Sequence, residues 1–228
     1  MKKYLVSLIV SLIIIPAAAG AQSFDGVLAA DPVLAAAVRV ALQDKLFVPQ
    51  VSAPAEVSKA ASGPENYVPF HRDGIYNYEY TSSRFAGSKT LRLEFGNYYA
   101  KDASVTVTKT IFENNVPQVT TYQVYLTQDG IQAGGSPLAG PRLEMPSQVV
   151  LNQAWNEGQD RSRVAAVNTS IKTAAGNYKG CVRIITRIAR GDVGTINRYY
   201  APGVGLVAEQ LITAEKQEMI SLVSYLLK

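Results

Sequence analysis

The sequence carries one cysteine, one histidine and one tryptophan, and the first two scarcities exclude whole classes of chemistry. Exported domains stapled by disulfides use an even set of cysteines, so a lone Cys181 leaves stability to the core. Cys181 lies at a strand start beside Val182 and Ile184 and reads as a small buried thiol, not as a nucleophile. A lone His71 leaves no paired His or Cys at zinc-ligand spacing, so no metal ligand set is expected. A Ser-His-Asp triad would have to be built on His71 alone, and no G-x-S-x-G nucleophile motif is present. His71 reads instead as a surface or turn residue, and no cofactor is expected. Charge is sparse as well, at 18% of residues, with 22 basic side chains against 18 acidic ones. Lys2 and Lys3 belong to a leader, and without them the balance is 20 against 18, a net of +2. Nucleic acid is therefore not an expected partner.

A long apolar run is also missing. Tyr4 to Ile15 is interrupted only by Ser7 and Ser11, but it stops at Pro16, short of the roughly 20 residues that span a membrane. Two lysines, a short apolar stretch, a proline and the small residues Ala17-Ala18-Ala19-Gly20-Ala21 form the pattern of a secretory signal peptide over 1–21. Cleavage after Ala21 leaves Gln22 at the new N-terminus, and Gln in place of Cys there removes the acceptor for a lipid anchor. The expected location is periplasmic or secreted, with no membrane-spanning segment after processing.

Residues 22–48 read as an N-terminal helical segment. Asp31-Pro32 suits a helix start, and Leu34, Val38, Leu42 and Leu46 recur on one face up to about Phe47. Residues 49–66 turn to Pro, Ala, Ser and Lys with no apolar period, the composition of a linker. From 67 to 228 the pattern alternates with a period of two. Tyr76, Tyr78 and Tyr80 share one face; Val105, Val107 and Ile111 mark another strand, and Tyr122, Val124 and Leu126 a third. Further strands are expected within 91–99, 163–173, 181–190, 195–200, 204–212 and 218–227, while Gly134 to Pro146 reads as a loop-rich flap. The sum is eight or nine strands in a mainly β, antiparallel meander preceded by the helix.

Three stretches carry a resemblance. Tyr67-Val68-Pro69-Phe70-His71-Arg72-Asp73-Gly74-Ile75-Tyr76-Asn77-Tyr78, Ala175-Gly176-Asn177-Tyr178-Lys179-Gly180-Cys181-Val182-Arg183-Ile184 and Tyr199-Tyr200-Ala201-Pro202-Gly203-Val204-Gly205-Leu206-Val207 resemble motifs of exported bacterial domain-of-unknown-function families. The last is similar to their Y-A-P-G-V-G-L-V almost letter for letter. Tyr76 stands where those families usually have Trp, and the usual glycine before Trp155 is missing. The resemblance implies a strongly curved antiparallel sheet, a half-barrel shaped like periplasmic lipoprotein carriers, and implies no catalytic residues. On the residues themselves, Pro202 and Gly203 fit a type II turn, and Gly205 fits a close approach by a neighbour.

The candidate ligand face lies on the strand after Cys181. Alternation separates Val182, Ile184, Thr186 and Ile188 from Cys181, Arg183, Ile185 and Arg187, and Arg198 and Tyr200 are expected to join the arginines from the next strand. A surface of Arg183, Ile185, Arg187, Arg198 and Tyr200 suits an amphipathic anion such as a lipid headgroup with part of its chain. The plainer alternative is a solvated face whose arginines pair with Glu209 or Asp192. The expected function is a non-catalytic binding module for lipid or another apolar ligand in the cell envelope. Two alternatives stand beside it. One is an envelope assembly component docking a protein partner through the N-terminal helix; the other is a carbohydrate-active hydrolase using two of Glu94, Asp102, Asp129, Glu157, Asp192 and Glu209.

Overall fold

A computed structural model describes residues 63–113, 116–189 and 191–227. The signal peptide, the predicted helix and the linker up to residue 62 lie outside the described residues. The strands are β1 Gly74–Ser82, β2 Lys89–Tyr99, β3 Ser104–Glu113, β4 Val116–Leu126, β5 Gly130–Ala133 and β6 Arg142–Pro146. They continue as β7 Ala154–Glu157, β8 Asp160–Thr173, β9 Gly176–Ile188, β10 Gly194–Ala201, β11 Gly205–Thr213 and β12 Gln217–Leu227. All twelve form one sheet in the order β6-β5-β4-β3-β2-β1-β12-β11-β10-β9-β8-β7. Each neighbouring pair within it is antiparallel. Only the β1–β12 pairing joins strands distant in sequence; the rest is a meander.

Period-two patterning builds the inner face. Residues directly opposite in an antiparallel pair project to the same side. The register therefore groups Tyr78 with Leu91 and Leu222, Leu93 with Tyr76 and Lys109, and Val105 with Val124. Tyr76, Tyr78, Leu91, Leu93, Val105, Val107, Ile184, Ile220 and Leu222 are all buried in one core. The tyrosines bring hydroxyls with them. Tyr78 OH donates to the Leu206 carbonyl at 2.8 Å, and Tyr80 OH to Glu218 Oε1 at 2.9 Å. Register shifts in β1–β12, β2–β3, β10–β11 and three times in β8–β9 bend the strands so that the sheet can curl.

Two expectations need correction. The sheet has twelve strands among the described residues, not eight or nine, because β5, β6 and β7 were not foreseen. Each has only four or five residues between Gly, Pro and Ser clusters, too few for alternation to register. The Gly134–Pro146 stretch is likewise no simple flap: its second part is β6, with all five residues buried. The sheet is also closer to a closed barrel than to a half-barrel. Glu157 Oε1 on β7 accepts from the Leu143 amide of β6 at 3.0 Å and from Trp155 Nε1 at 2.6 Å, so a carboxylate spans the two terminal strands where a ladder would close them.

The three motif stretches converge on one corner. Val204 N donates to the Ala201 carbonyl at 3.2 Å, and Gly203 between them has φ +71°, the geometry expected of the Pro-Gly turn. Gly203 N in turn donates to the Asn66 carbonyl at 2.7 Å, at the end of a 3₁₀ turn over Pro64–Asn66. Gly205 has φ +111°, and a Cβ there would stand 2.8 Å from Pro69 Cδ. The close neighbour foreseen for Gly205 is thus the proline of the opening motif. A Cβ on Gly180, from the middle motif, would meet Pro202 Cγ at 3.6 Å. These residues serve the fold.

Candidate functional site

The chemistry of this chain is concentrated inside the barrel, where β6 crosses to β10 and β11. Strands in a sheet are about 4.8 Å apart, so contacts between β6 and strands three or four places beyond the β7 edge must run across the interior. Arg142 on β6 donates from Nε to Glu144 Oε2 at 2.6 Å and from Nη2 to Glu144 Oε1 at 3.1 Å. Its Nη1 and Nη2 also reach Glu209 Oε1 and Oε2 on β11, at 2.6 and 2.9 Å. From β10, Arg198 Nη1 donates to Glu144 Oε2 at 3.0 Å and to the Leu143 carbonyl at 3.2 Å, and Nη2 to Thr186 Oγ1 at 2.9 Å. Tyr200 OH completes the cluster with Glu144 Oε2 at 2.8 Å. Ser162 and Thr186 hydroxyls share a bond of 2.7 Å behind it.

Every member of the quartet is buried, Arg198 and Glu209 completely. Two guanidinium groups and two carboxylates balance, and this is what makes burial tolerable, since an unpaired ion there would cost several kcal/mol. Burial alone raises the Glu144 pKa, but Arg142 and Arg198 outweigh it and hold the carboxyl down at about 2. Burial likewise works against the charge on Arg142, and Glu144 and Glu209 overcome it and raise its pKa. Burial, then Glu144, pushes the Tyr200 hydroxyl up. Glu144 therefore stays ionised across ordinary pH and has no proton to give, and Glu209 is bracketed by Arg142. The cluster is built as a clamp: it fastens β6 over the inner face of the sheet.

Beneath this roof, a cavity lined by Tyr76, Tyr78, Leu93, Phe95, Tyr122 and Tyr200 among others measures about 20 Å³. That is room for about one water, where ligand pockets run to about 300–1,000 Å³. A second depression, of about 380 Å³ and open to solvent, lies outside along β1, β2 and β3, lined by Ile75, Glu94, Asn97, Tyr99, Thr106 and Thr108.

The structure divides the candidate ligand face. Arg198 is opposite Ile184, and Tyr200 opposite Val182, so both belong to the inner face. Arg183 and Arg187 are opposite Tyr199 and Thr195, on the other side of the sheet, with Ile185 opposite Asn197. The expected union of Arg183, Ile185, Arg187, Arg198 and Tyr200 on one surface does not occur; the one-residue offset between β9 and β10 puts even-numbered residues of both strands together. Arg183 donates to Asn197 Oδ1 at 2.7 Å and lies over the Tyr199 ring at 5.6 Å, while Arg187 is exposed. Glu209 pairs with Arg142, not with Arg183 or Arg187, and Asp192 accepts from Thr213 Oγ1.

The other candidates are scattered. His71 is exposed beside Glu65, its Nε2 at 3.3 Å from Glu65 Oε2, and packs edge-on against Tyr98. Cys181 is fully buried, and burial pushes its thiol up to about 12. Glu94 is paired with Arg92 at 3.3 Å on the rim of the outer depression, Asp102 and Asp129 are exposed, and Glu157 bridges β6 and β7. Among the described contacts, no two of the six carboxylates share a partner. No three His, Cys, Asp or Glu side chains converge as a metal site among the described residues. Sequence reading missed Arg142 and Glu144 altogether. The only signal was the alternation Arg142-Leu143-Glu144-Met145, which looks like a solvent-facing strand and gives no hint that its charged side is buried as well as its apolar one.

No protein-family model matches the chain, and no curated protein matches it. Two solved structures resemble it. One is a candidate lipoprotein from Parabacteroides distasonis, 13% identical with a TM-score of 0.47, covering 74% of this chain and all of its own. The other is a candidate exported protein with a YmcC-like fold from Bacteroides fragilis, 12% identical with a TM-score of 0.44, covering 73% of this chain and all of its own.

Proposed function

We propose that this chain is an exported, non-catalytic envelope protein whose β-domain is a rigid interaction module, not a lipid carrier. The observation that carries the reading is the clamp. The inner face, which in a carrier would hold the acyl chain, is covered by the chain's own β6, fixed there by Arg142, Glu144, Arg198 and Glu209. The apolar cavity beside it, lined by Tyr76, Tyr78, Leu93 and Tyr122, has room for about one water. Export is supported by the signal-peptide pattern of 1–21. The non-catalytic reading is supported by the state of the reactive groups: Glu144 and Glu209 are saturated by arginine, and the Cys181 thiol is buried and protonated. Native mass spectrometry of protein released gently from its own envelope tests this. It should show protein subunits without a stoichiometric acyl lipid. A one-to-one lipid adduct, confirmed by extraction, would overturn the reading and restore the carrier.

A further inference from the structure

The sheet's terminal strands are guarded. Glu157 occupies the gap between β6 and β7, and β6 is wholly buried. The first part of β4 is guarded by nothing comparable. β3 pairs with β4 from Val116 to Tyr125, but β5 covers only Val124 to Leu126, and Gly134 N adds one bond, to the Gln123 carbonyl at 2.7 Å. From Val116 to Thr121 every residue is exposed, and among the described residues no strand lies on the far side. The strand, Val116 to Leu126, contains no Asp, Glu, Lys or Arg. Edges of natural sheets are usually protected by such charges or by proline, and of these the open stretch has only Pro117, near its start.

The bonding pattern of this edge can be read off its ends. Leu126 N donates toward β3, to the Ala103 carbonyl at 2.9 Å, whereas the Gln123 carbonyl is used on the opposite side. The β3–β4 register has no shift, so in the intervening strand even-numbered residues bond to β3 and odd-numbered ones face the open edge. Among the described residues, the groups that Pro117 to Thr121 leave free are then the amides and carbonyls of Val119 and Thr121, and the carbonyl of Pro117, which has no N–H.

We propose that a second copy of this chain occupies the edge, antiparallel and two-fold symmetric, with Val119 opposite Val119 of the partner subunit. In that register the two Val119 residues exchange both their bonds, and each Thr121 N–H meets the other copy's Pro117 carbonyl. Between Pro117 and Thr121 the Thr121 carbonyl alone stays unpaired, opposite the proline, at the rim where water reaches it. At the next position Gly134 already holds the Gln123 carbonyl, so the pairing ends there. The set of donors and acceptors is thus complementary to itself, as a two-fold interface requires. Val119, 57% exposed, meets its own copy on the outer face, and an uncharged strand brings no repulsion to the contact. Two strands joined over five residues make a small interface, so the dimer is weak and concentration-dependent. This inference rests on reading the domain as an interaction module. Its failure is separable: a lipid adduct would refute that reading with the dimer intact, and a lipid-free monomer would refute the dimer alone.

Sedimentation of the exported full chain over about 1 μM to about 1 mM tests the assembly, and amide hydrogen exchange at both ends of that range tests the edge. The expected result is a monomer–dimer equilibrium in which the Val119 and Thr121 amides gain protection with concentration. Those of Gln118 and Thr120, bonded to β3, should be protected throughout. Val119→Lys places like charges face to face at an exposed position that can fold with it, and should weaken the dimer about tenfold or more. A chain that stays monomeric, a dimer unaffected by Val119→Lys, or a dimer whose Val119 and Thr121 amides remain unprotected would overturn the proposal.

Discussion

Replacing Glu144 by Gln keeps the shape of the clamp and removes its central charge. In the wild-type chain Glu144 accepts from Arg142, Arg198 and Tyr200, and its carboxyl is carried from an ordinary 4.5 to about 2. A displacement of that size corresponds to about 3 kcal/mol of folding free energy. A second route gives a similar figure: removing one partner from a buried ion pair costs about 3–5 kcal/mol, because the remaining charge is left uncompensated. Here the residue would be two buried guanidinium groups facing Glu209 alone. Against a total stability of about 5–15 kcal/mol, Glu144→Gln should lower the melting temperature by about 10 °C. The pH dependence has a definite sign. A depressed carboxyl pKa stabilises the fold fully above 4.5, and that contribution is lost as pH falls from 4.5 toward 2. The gap between wild type and variant should therefore be widest at neutral pH and shrink across that acid window. Denaturant titration followed by the fluorescence of Trp155, the only tryptophan, measures it. A neutral-pH difference under about 1 kcal/mol, or a gap constant with pH, would refute the account of the clamp.

The turn at Gly203 and the contact at Gly205 predict two separable strains. Gly203→Val meets open space, so its cost is backbone strain alone, about 1–3 kcal/mol, whereas Gly205→Ala adds a collision with Pro69; equal melting temperatures for the two would argue against the packing at that corner. Cys181, buried and with its thiol raised to about 12, should resist iodoacetamide at mildly alkaline pH in the native protein and react once denaturant is added; rapid native labelling would contradict its burial. Arg183→Glu with Arg187→Glu should leave the fold and the absence of bound lipid unchanged, because neither residue faces the interior; loss of a copurifying anionic lipid on this change would revive a ligand role for the outer face. N-terminal sequencing of the exported protein should begin at Gln22, and a retained Met1 would contradict the signal peptide.

What the sequence determined by itself was whatever depends on neighbours along the chain. Alternating Tyr76, Tyr78 and Tyr80, or Val105 and Val107, suffices to make a strand with one buried face, because a period of two is a property of the extended backbone. Ala201-Pro202-Gly203-Val204 suffices to make its turn, since proline fixes one φ and glycine admits the next. The tertiary structure decided what depends on register and curvature. Whether Arg198 sides with Ile184 or with Arg183 depends on a one-residue offset across the β9–β10 turn, and alternation within each strand is silent about it. That β6 is a strand at all, and that Arg142 and Glu144 are buried, follows from Glu209, Arg198 and Tyr200 waiting across the barrel, between 54 and 67 residues away in the chain. A charged pair reads as solvent-facing until the fold supplies its counter-charges, and only the closing of the sheet brings those into reach.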